Sequence, residues 1–331
     1  MEEKPFSLPK VRFFGKPNLY SGYGQATRHI STAFANSSIP VNFATKNAFF
    51  QNKSSCKSRC DIDFYIQTPP FSRHKSSNYK IGYFYWEADR LPRAWEADIC
   101  RSLDEIWVPC NLTKFACRRA GFKGPIEVVF TPRPLAESST EIYIPSKTSE
   151  KHVVGKDVFI FYSIFQWNKR KGYEKLIKAY LEEFSEKENV LMVIKTNPIN
   201  HKLHGMDKIF KDIRVIKSFC KKTDIPDMFL ITENISNEKI GGLHNVGDCF
   251  VLPHHGEGWG MPIHDAMINE NLVITTRFGG ITEHLSEDSA MLIDSSIVAV
   301  RPMNWNPYYE DRQRWADPSY DSLRLLMRKA F

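Results

Sequence analysis

Two acidic side chains stand in a glycine-rich stretch of the second half of the chain. Glu257 follows a short apolar run, and Asp265 comes after seven intervening residues. Gly258 and Gly260 lie beside the first acid, and Pro262 suits the first turn of a helix, where its missing N–H costs nothing. Such a loop brings backbone N–H groups and the positive end of a helix close to an anion, typically a phosphate. The pattern predicts an anion-binding loop with two carboxylates beside it.

Two further loops in the same half repeat the order of strand, glycine and helix. Gly279 and Gly280 follow a second apolar run, and Arg170, Lys171 and Gly172 follow a buried-looking strand, residues 158–162, at the start of this half. A basic triplet between a strand and a helix could hold a phosphate, although a solvated surface turn is the alternative interpretation. We expect these loops to lie together at the carboxyl ends of parallel strands, where ligands of α/β folds bind.

The first stretch resembles a known signature. It reads Glu257-Gly-Trp-Gly-Met-Pro-Ile-His-Asp265-Ala-Met, followed by Val273 and Ile274. This closely resembles the nucleotide-sugar site of retaining glycosyltransferases of the GT-B fold, in particular family 4 (glycosyl transferases group 1), whose segment is similar to EGFGLPxxEAMAxGxPVI. Asp265 departs from the family's second Glu by one methylene. The resemblance implies an α/β protein with two Rossmann-like parallel-sheet domains facing a central cleft, and a hexosyltransferase activity.

The resemblance also implies a role for each matching residue. Glu257 would bind hydroxyls of the donor sugar, and Asp265 would bind the ribose. Lys171 would hold the pyrophosphate, and Arg170 would share this task because Ser163 stands where the family has an upstream Arg. An ionised carboxylate can accept several hydroxyl hydrogen bonds, so few such groups are needed to fix a sugar.

The donor is a UDP- or GDP-sugar by the same resemblance, and no other cofactor is required. The loop of residues 233–236 would line the base, with Ser236 as the N-cap of a helix. The residues assigned to the donor are Gly22, Gly24, Arg170, Lys171, Asn234, Glu257, Gly258, Gly260, Met261, Asp265, Gly279 and Gly280, and those assigned to catalysis are Glu257, Lys171 and Glu87.

In the first half of the chain, Gly22 and Gly24 follow a predicted strand at residues 11–14 and precede a predicted helix from about Gln25 to Phe34. They resemble the family loop that closes over the donor pyrophosphate, and the alternative is a tight turn that needs positive φ. Glu87 ends an aromatic strand, residues 80–86, and is our candidate for contact with the acceptor. The alternative for Glu87 is an acid at a helix N-terminus, where the helix dipole favours it.

The implied chemistry is transfer with retention of the anomeric configuration and without a metal. Basic side chains and helix N-termini would neutralise the departing diphosphate. The two acids orient the donor rather than act as a glycosidase pair, which needs one acid protonated. Asp61 and Asp63 form an Asp-x-Asp match that we interpret as chance, and Cys56 and Cys60 lack a second pair at zinc spacing, so no metal site is predicted.

Composition sets wider bounds. The 331 residues predict two domains of ordinary size, and 42% hydrophobic content is enough for their cores. Seven scattered cysteines favour reduced thiols in a cytoplasmic setting. The first residues do not form a signal peptide, and no apolar run is long enough to span a membrane. A net charge of +7 suits a protein that binds nucleotide diphosphates, a polyanionic acceptor or an acidic membrane surface.

Residues 132–156 lose hydrophobic periodicity and gain Pro, Ser and charge, which is typical of a linker. We therefore place a domain boundary close to residue 150. Residues 1–150 would form the acceptor-side domain, and residues 151–331 would form the nucleotide-sugar domain.

The sequence leaves alternatives open for the acceptor and for the class of function. The acceptor could be a glycan or a hydroxymethylated base of phage-type DNA; DNA binding would weaken steeply with salt. A second class of function is a catalytically silent nucleotide-sugar-binding protein on the same fold. A nucleotidyl or dinucleotide enzyme is disfavoured because no clean G-x-G-x-x-G is followed by an acid about 20 residues on.

Overall fold

The computed structural model describes residues 7–17, 21–44, 59–132, 158–198, 205–303 and 306–331. The chain divides into two compact units: Met1–Pro134 with Ala299–Arg314, and Leu135–Val298 with Trp315–Phe331. The predicted boundary near residue 150 lies outside the described residues.

The division differs from the predicted one in the segment Ala299–Arg314. This segment groups with the first unit, although the sequence placed it in the second domain. Its side chains explain the difference: the ring of Tyr309 stacks on Trp86 with centroids 5.4 Å apart, and Arg312 pairs with Glu96 at 2.9 Å.

The first unit is built on a six-stranded parallel sheet in the order β2-β1-β3-β4-β5-β6. Large apolar and aromatic side chains fill both of its faces, as is usual for parallel sheets covered by helices. The strands are β1 (Val11–Phe14), β2 (Val41–Phe43), β3 (Ile62–Ile66), β4 (Tyr79–Tyr83), β5 (Glu105–Val108) and β6 (Ile126–Val128); the helices are α1 (Gly22–Asn36), α2 (Arg93–Ser102) and α3 (Asn111–Arg119).

Helix α1 corrects the prediction for the first glycine loop. The helix begins at Gly22, three residues before the predicted start at Gln25, because Ser21 caps it: the Gly24 backbone N–H donates to Ser21 Oγ at 3.1 Å. Gly22 and Gly24 therefore lie in the first helical turn and not in a loop. The alternative of a turn with positive φ is also wrong, because neither glycine has a positive φ.

The second unit holds another six-stranded parallel sheet, in the order β12-β11-β10-β7-β8-β9. Counted from its own first strand this is the doubly wound Rossmann order, and the strand order reverses between β7 and β10. The strands are β7 (Phe159–Trp167), β8 (Val190–Pro198), β9 (Asp227–Ile231), β10 (Cys249–Leu252), β11 (Leu272–Thr276) and β12 (Met291–Ile293); the helices are α4 (Tyr173–Glu183), α5 (Met206–Ser218), α6 (Asn237–Val246), α7 (Met261–Ile268) and α8 (Tyr320–Ala330). A separate two-stranded sheet pairs β13 (Ser295–Ala299) with β14 (Arg314–Pro318).

Strand β7 is longer than predicted. The sequence suggested that it ends at Tyr162, but it continues to Trp167. The extension is stable because each residue from Ser163 onward keeps its partner on β8, and because Ser163 Oγ donates to the Val251 carbonyl at 2.6 Å. The basic turn that follows is correspondingly short.

Candidate functional site

The candidate site lies where the strand order of the second sheet reverses. The short 3₁₀ turn Lys169–Lys171 follows β7, and the loop with Glu257 follows β10. These two strands are neighbours, so their carboxyl ends bring both loops to one place. In open α/β sheets this switch point is where ligands bind.

At this switch point, ion pairs link three of the predicted site residues. Lys171 Nζ donates to Glu257 Oε1, and Arg170 Nη1 lies 3.0 Å from the same oxygen. The side chains of Arg170, Lys171 and Glu257 are only 12%, 10% and 8% exposed. The basic triplet is therefore not a solvated surface turn: its last two cations are held against a buried carboxylate.

The two cations keep Glu257 ionised. Burial alone would raise the pKa of its carboxyl group, but the charges of Lys171 and Arg170 outweigh burial and lower the pKa to about 2. Ser163 Oγ donates to the Val251 carbonyl of β10, and Arg170 is the second cation beside Glu257. An anionic ligand at this point would share both cations with Glu257.

Backbone contacts between the two glycine loops set the position of Glu257. Glu257 forms a parallel bridge with Gly279, and the Gly280 N–H donates to the Glu257 carbonyl at 2.7 Å. A Cβ at Gly279, where φ is +85°, would lie 2.3 Å from that carbonyl oxygen; a Cβ at Gly280 would lie 2.2 Å from the Gly258 carbonyl oxygen. The Gly280 amide, predicted to bind an anion, is thus already bonded to the neighbouring loop.

A close backbone contact also requires a glycine at position 172. Its φ is +69°, and a Cβ there would lie 1.9 Å from the Pro253 carbonyl oxygen, at the end of β10. The contact holds the basic turn against the loop that carries Glu257. Only glycine accepts both the conformation and the distance.

We expect Gly172→Ala to lower the free energy of unfolding by about 2–5 kcal/mol, the sum of left-handed strain and a backbone clash. Gly121→Ala is the matched control, because Gly121 has φ +91° but nothing within 4 Å of the added Cβ. It should lose only the strain, on the order of 1 kcal/mol. Urea unfolding of both variants measures the difference, and equal losses would show that the contact with Pro253 is not a constraint.

Helix α7 begins as the sequence predicted. Gly260 precedes it with φ +77°, Met261 is its first residue, and Pro262 lies in its first turn. Asp265 lies further along the helix and is 7% exposed. Burial raises the pKa of Tyr162 in β7, and the charges of Cys249 and Asp265 add to this rise. The structure therefore buries both acids.

Two features of the site gave no signal in the sequence. His254, at the end of β10, is fully buried, and neither ring nitrogen has a hydrogen-bond partner among the described residues. Burial lowers its pKa to about 3. Behind the loop, the ring of His284 lies 4.8 Å from Trp259 and 5.1 Å from His264. Trp259 therefore packs against two histidine rings.

The histidines predict acid sensitivity. Burial lowers the pKa of His284 from 6.5 to about 4, so the folded state disfavours the charged ring. The unfolded chain then binds more protons as the pH falls from 6.5 toward 4, and stability falls with it. His284 alone should lose on the order of 2–3 kcal/mol across this window. Glu257 contributes only below its unfolded pKa of 4.5.

Melting temperatures measured between pH 7 and 4.5 test this expectation. His284→Phe keeps a ring against Trp259 and removes the titration, so its melting temperature should depend less on pH than that of the wild type. Parallel pH profiles for the two proteins would contradict the assignment.

In the first unit, Glu87 lies beside the first turn of α1. Tyr23, in that turn, accepts a hydrogen bond from the Tyr85 N–H at 2.9 Å, and Tyr309 donates to Glu87 at 3.4 Å. Burial raises the pKa of Tyr23, and the charge of Glu87 adds to the rise. Helix α2 begins only at Arg93, so the alternative role of Glu87 as a helix N-terminal acid is wrong.

The predicted base loop follows β9, and its end is confirmed. Ser236 caps α6 by accepting from the Lys239 N–H. Asn234 is exposed in this loop. Its assignment to the donor stays a prediction.

Across the ranges given above, the structure contains no cluster of three or more metal-ligating side chains. Asp63, which belonged to the Asp-x-Asp match, is bonded instead to Arg12 at 2.8 Å. No helix in the described part of the chain is long and apolar enough to cross a bilayer.

Part of the chain matches the model of a known protein family. Residues 146–299 match the family model described as Glycosyl transferases group 1. No curated protein matches the sequence. The family model therefore spans the basic turn, both glycine loops and the two buried acids.

Solved structures share the fold at low identity. A trehalose-6-phosphate structure from E. coli bound with UDP-2-fluoro glucose is 11% identical, with a TM-score of 0.57 over 81% of this chain, which spans 65% of that chain. Anabaena Alr3699/HepE in complex with UDP-glucose is 12% identical, with a TM-score of 0.57 over 84% of this chain and 83% of that one. The pneumococcal O-GlcNAc transferase GtfA in complex with UDP and GlcNAc is 10% identical, with a TM-score of 0.54 over 81% of this chain and 49% of that one. These matches show a fold of the GT-B type.

Proposed function

We propose that this chain, whose second half carries a glycosyl transferases group 1 domain, moves a sugar from a nucleotide-sugar donor to a hydroxyl acceptor with retention of configuration. The observation that carries the proposal is the convergence of Lys171, Arg170 and Glu257 at the switch point of the second sheet. UDP is the first nucleotide to test, because solved structures similar to this chain include complexes with UDP and with UDP-glucose.

Charge neutralisation is the main catalytic task. Negative charge builds up on the diphosphate as the bond to the anomeric carbon breaks, and fixed cations in a poorly hydrated site stabilise it strongly. Lys171 and Arg170 are fixed by Glu257 before any ligand arrives, so little reorganisation is needed. This supports transfer without a metal, since two protein cations already stand beside the place where the diphosphate would lie.

The two buried acids would orient the donor. Glu257 stays ionised and can accept hydrogen bonds from sugar hydroxyls. Asp265 would bind the ribose. The acceptor hydroxyl would lose its proton to the departing phosphate oxygen, and Glu87 would contact the acceptor.

Nucleotide release tests the proposal. The protein is incubated with UDP-, GDP-, ADP- and dTDP-sugars, with glycan acceptors or with hydroxymethylated DNA, in the presence and absence of EDTA. Release from one donor that survives EDTA and needs an acceptor would support a metal-independent transferase. Release in the DNA tubes alone would assign the DNA acceptor. Binding of a donor without release on any acceptor would support the silent binding protein instead.

We also propose that the protein works in the cytoplasm. The described cysteines, six in number, all carry free thiols. A reducing interior, where nucleotide sugars could meet the protein, suits this thiol state.

A further inference from the structure

A buried lysine stands outside the group of residues used so far. Lys195, in the carboxyl-terminal half of β8, is 7% exposed. Its Nζ donates to the Thr196 carbonyl at 3.2 Å, and no carboxylate of the described residues lies within ion-pair distance. The Thr196 hydroxyl is fully buried and has no hydrogen-bond partner in the described part of the chain. Buried polar groups of this kind are unusual without a ligand or water to satisfy them.

One acid that acts on the charge of Lys195 lies in the loop after the next strand, β9. Burial lowers the pKa of Lys195, and the charge of Glu233 partly opposes this effect. Lys195 pairs with Ile231, the last residue of β9, and Glu233 follows in the exposed loop. A cation on β8 and an anion in the loop after β9 therefore lie on neighbouring elements of the sheet.

Their distance from the phosphate site suits a nucleoside. Neighbouring strands lie about 5 Å apart, so β8 and β9 run roughly 5 and 10 Å from β7. The basic turn with Lys171 follows β7, and Lys195 pairs with Ile164 inside that strand. In doubly wound sheets of this order, the phosphates lie at the turn after the first strand, and a residue about 20 positions on, at the end of the second strand, hydrogen-bonds the ribose of the nucleoside. Lys195 lies on that second strand, before its end at Pro198.

The two side chains carry opposite hydrogen-bonding capacities. A lysine ammonium has three donors and no acceptor, and an ionised glutamate only accepts. Together they complement a ring edge on which a carbonyl oxygen stands next to an N–H group. Uracil, thymine and guanine present such a lactam edge. Adenine presents the reverse pattern, an amino group next to a bare ring nitrogen. The lysine, a donor, would then face the amino donor, and the glutamate, an acceptor, would face the acceptor nitrogen of the ring.

We propose that Lys195 and Glu233 select the base of the donor, accepting lactam bases and rejecting adenine. The inference rests on the proposed function, since it assumes that a nucleotide diphosphate binds at Lys171. Lys195 Nζ donates to the carbonyl oxygen of the base, and the Glu233 carboxylate accepts from the adjacent ring N–H. A site built to hydrogen-bond a group discriminates strongly against a ligand that lacks it, because its own polar groups are then left unpaired.

Binding titrations of UDP, GDP, dTDP and ADP to the full chain test the base preference. At least one lactam nucleotide should bind at least about 10-fold more tightly than ADP. In Lys195→Met, which keeps the volume of the side chain, this ratio should fall to within a few-fold. Lys178→Met, on the surface of α4, should keep the wild-type ratio.

A methylated base tests Glu233 separately. The preferred nucleotide with its lactam N–H methylated should bind the wild type at least about 10-fold more weakly, and Glu233→Ala should abolish that penalty. Glu233 is exposed, so the variant is expected to fold normally.

The outcomes separate the two proposals. If ADP binds as tightly as the others, or if both variants keep the wild-type ratios, base selection by this pair is wrong while the proposed function stands. If none of the four nucleotides binds, both proposals fail.

Discussion

Lys171→Met is expected to lower kcat/KM for sugar transfer by about 10²–10³-fold, the usual effect of removing one preorganised group that stabilises developing negative charge. Lys171 is 10% exposed and bonded to Glu257, so its ammonium is fixed before the donor binds. Methionine keeps the packing of the side-chain stem and removes only the charge. Initial rates of nucleotide release at several donor concentrations measure the effect.

Lys178→Met is the matched control for that variant. Lys178 lies on the same helix that follows the basic turn, but its side chain is 45% exposed and its partner Glu182 is 3.9 Å away. Its loss should leave the rate unchanged, because exposed pairs of this kind contribute little. A Lys171→Met rate within about twofold of the wild type would remove the lysine from the mechanism.

Glu257→Gln is expected to separate binding from transfer. The carboxylate shares Lys171 and Arg170 with any incoming diphosphate, so its neutralisation frees positive charge for the ligand. UDP should bind as tightly as to the wild type or several-fold more tightly. Transfer should fall by about 10²-fold, because the sugar hydroxyls lose a charged acceptor.

Titration of UDP and initial rates on the same preparation measure both effects. Glu287→Gln is the control, since this acid pairs with Arg277 at the surface with 75% of its side chain exposed. If Glu257→Gln weakens UDP binding as much as it slows transfer, the role of Glu257 is only to hold the two cations in position.

The second sheet could be predicted closely because each of its elements carries its own local signal. Strand β10 occupies the short apolar run before Glu257, and helix α7 begins at the turn predicted from Pro262. The sequence assigned Lys171 and Glu257 to the same donor through the family resemblance, but it did not predict that the two side chains pair. Their contact depends on β7 and β10 being neighbours, which is a property of strand order and not of either segment.

What the sequence missed depends on contacts between distant segments. The end of β7 at Trp167 is decided by pairing with β8, and the start of α1 at Gly22 by the cap from Ser21. The segment Ala299–Arg314 was placed in the wrong half by chain order, whereas its stacking on Trp86 places it with the first unit. Burial of His254 likewise has no local pattern, because it is produced by packing around the end of β10.

A crystal structure of the protein with UDP tests the account most directly. The account predicts the diphosphate at the switch point between β7 and β10, within hydrogen-bond distance of Lys171 Nζ and the Arg170 guanidinium. Glu257 would then be released from at least one of these cations. A diphosphate bound away from Lys171, with its bond to Glu257 unchanged, would contradict the central claim that these cations are the donor-binding groups.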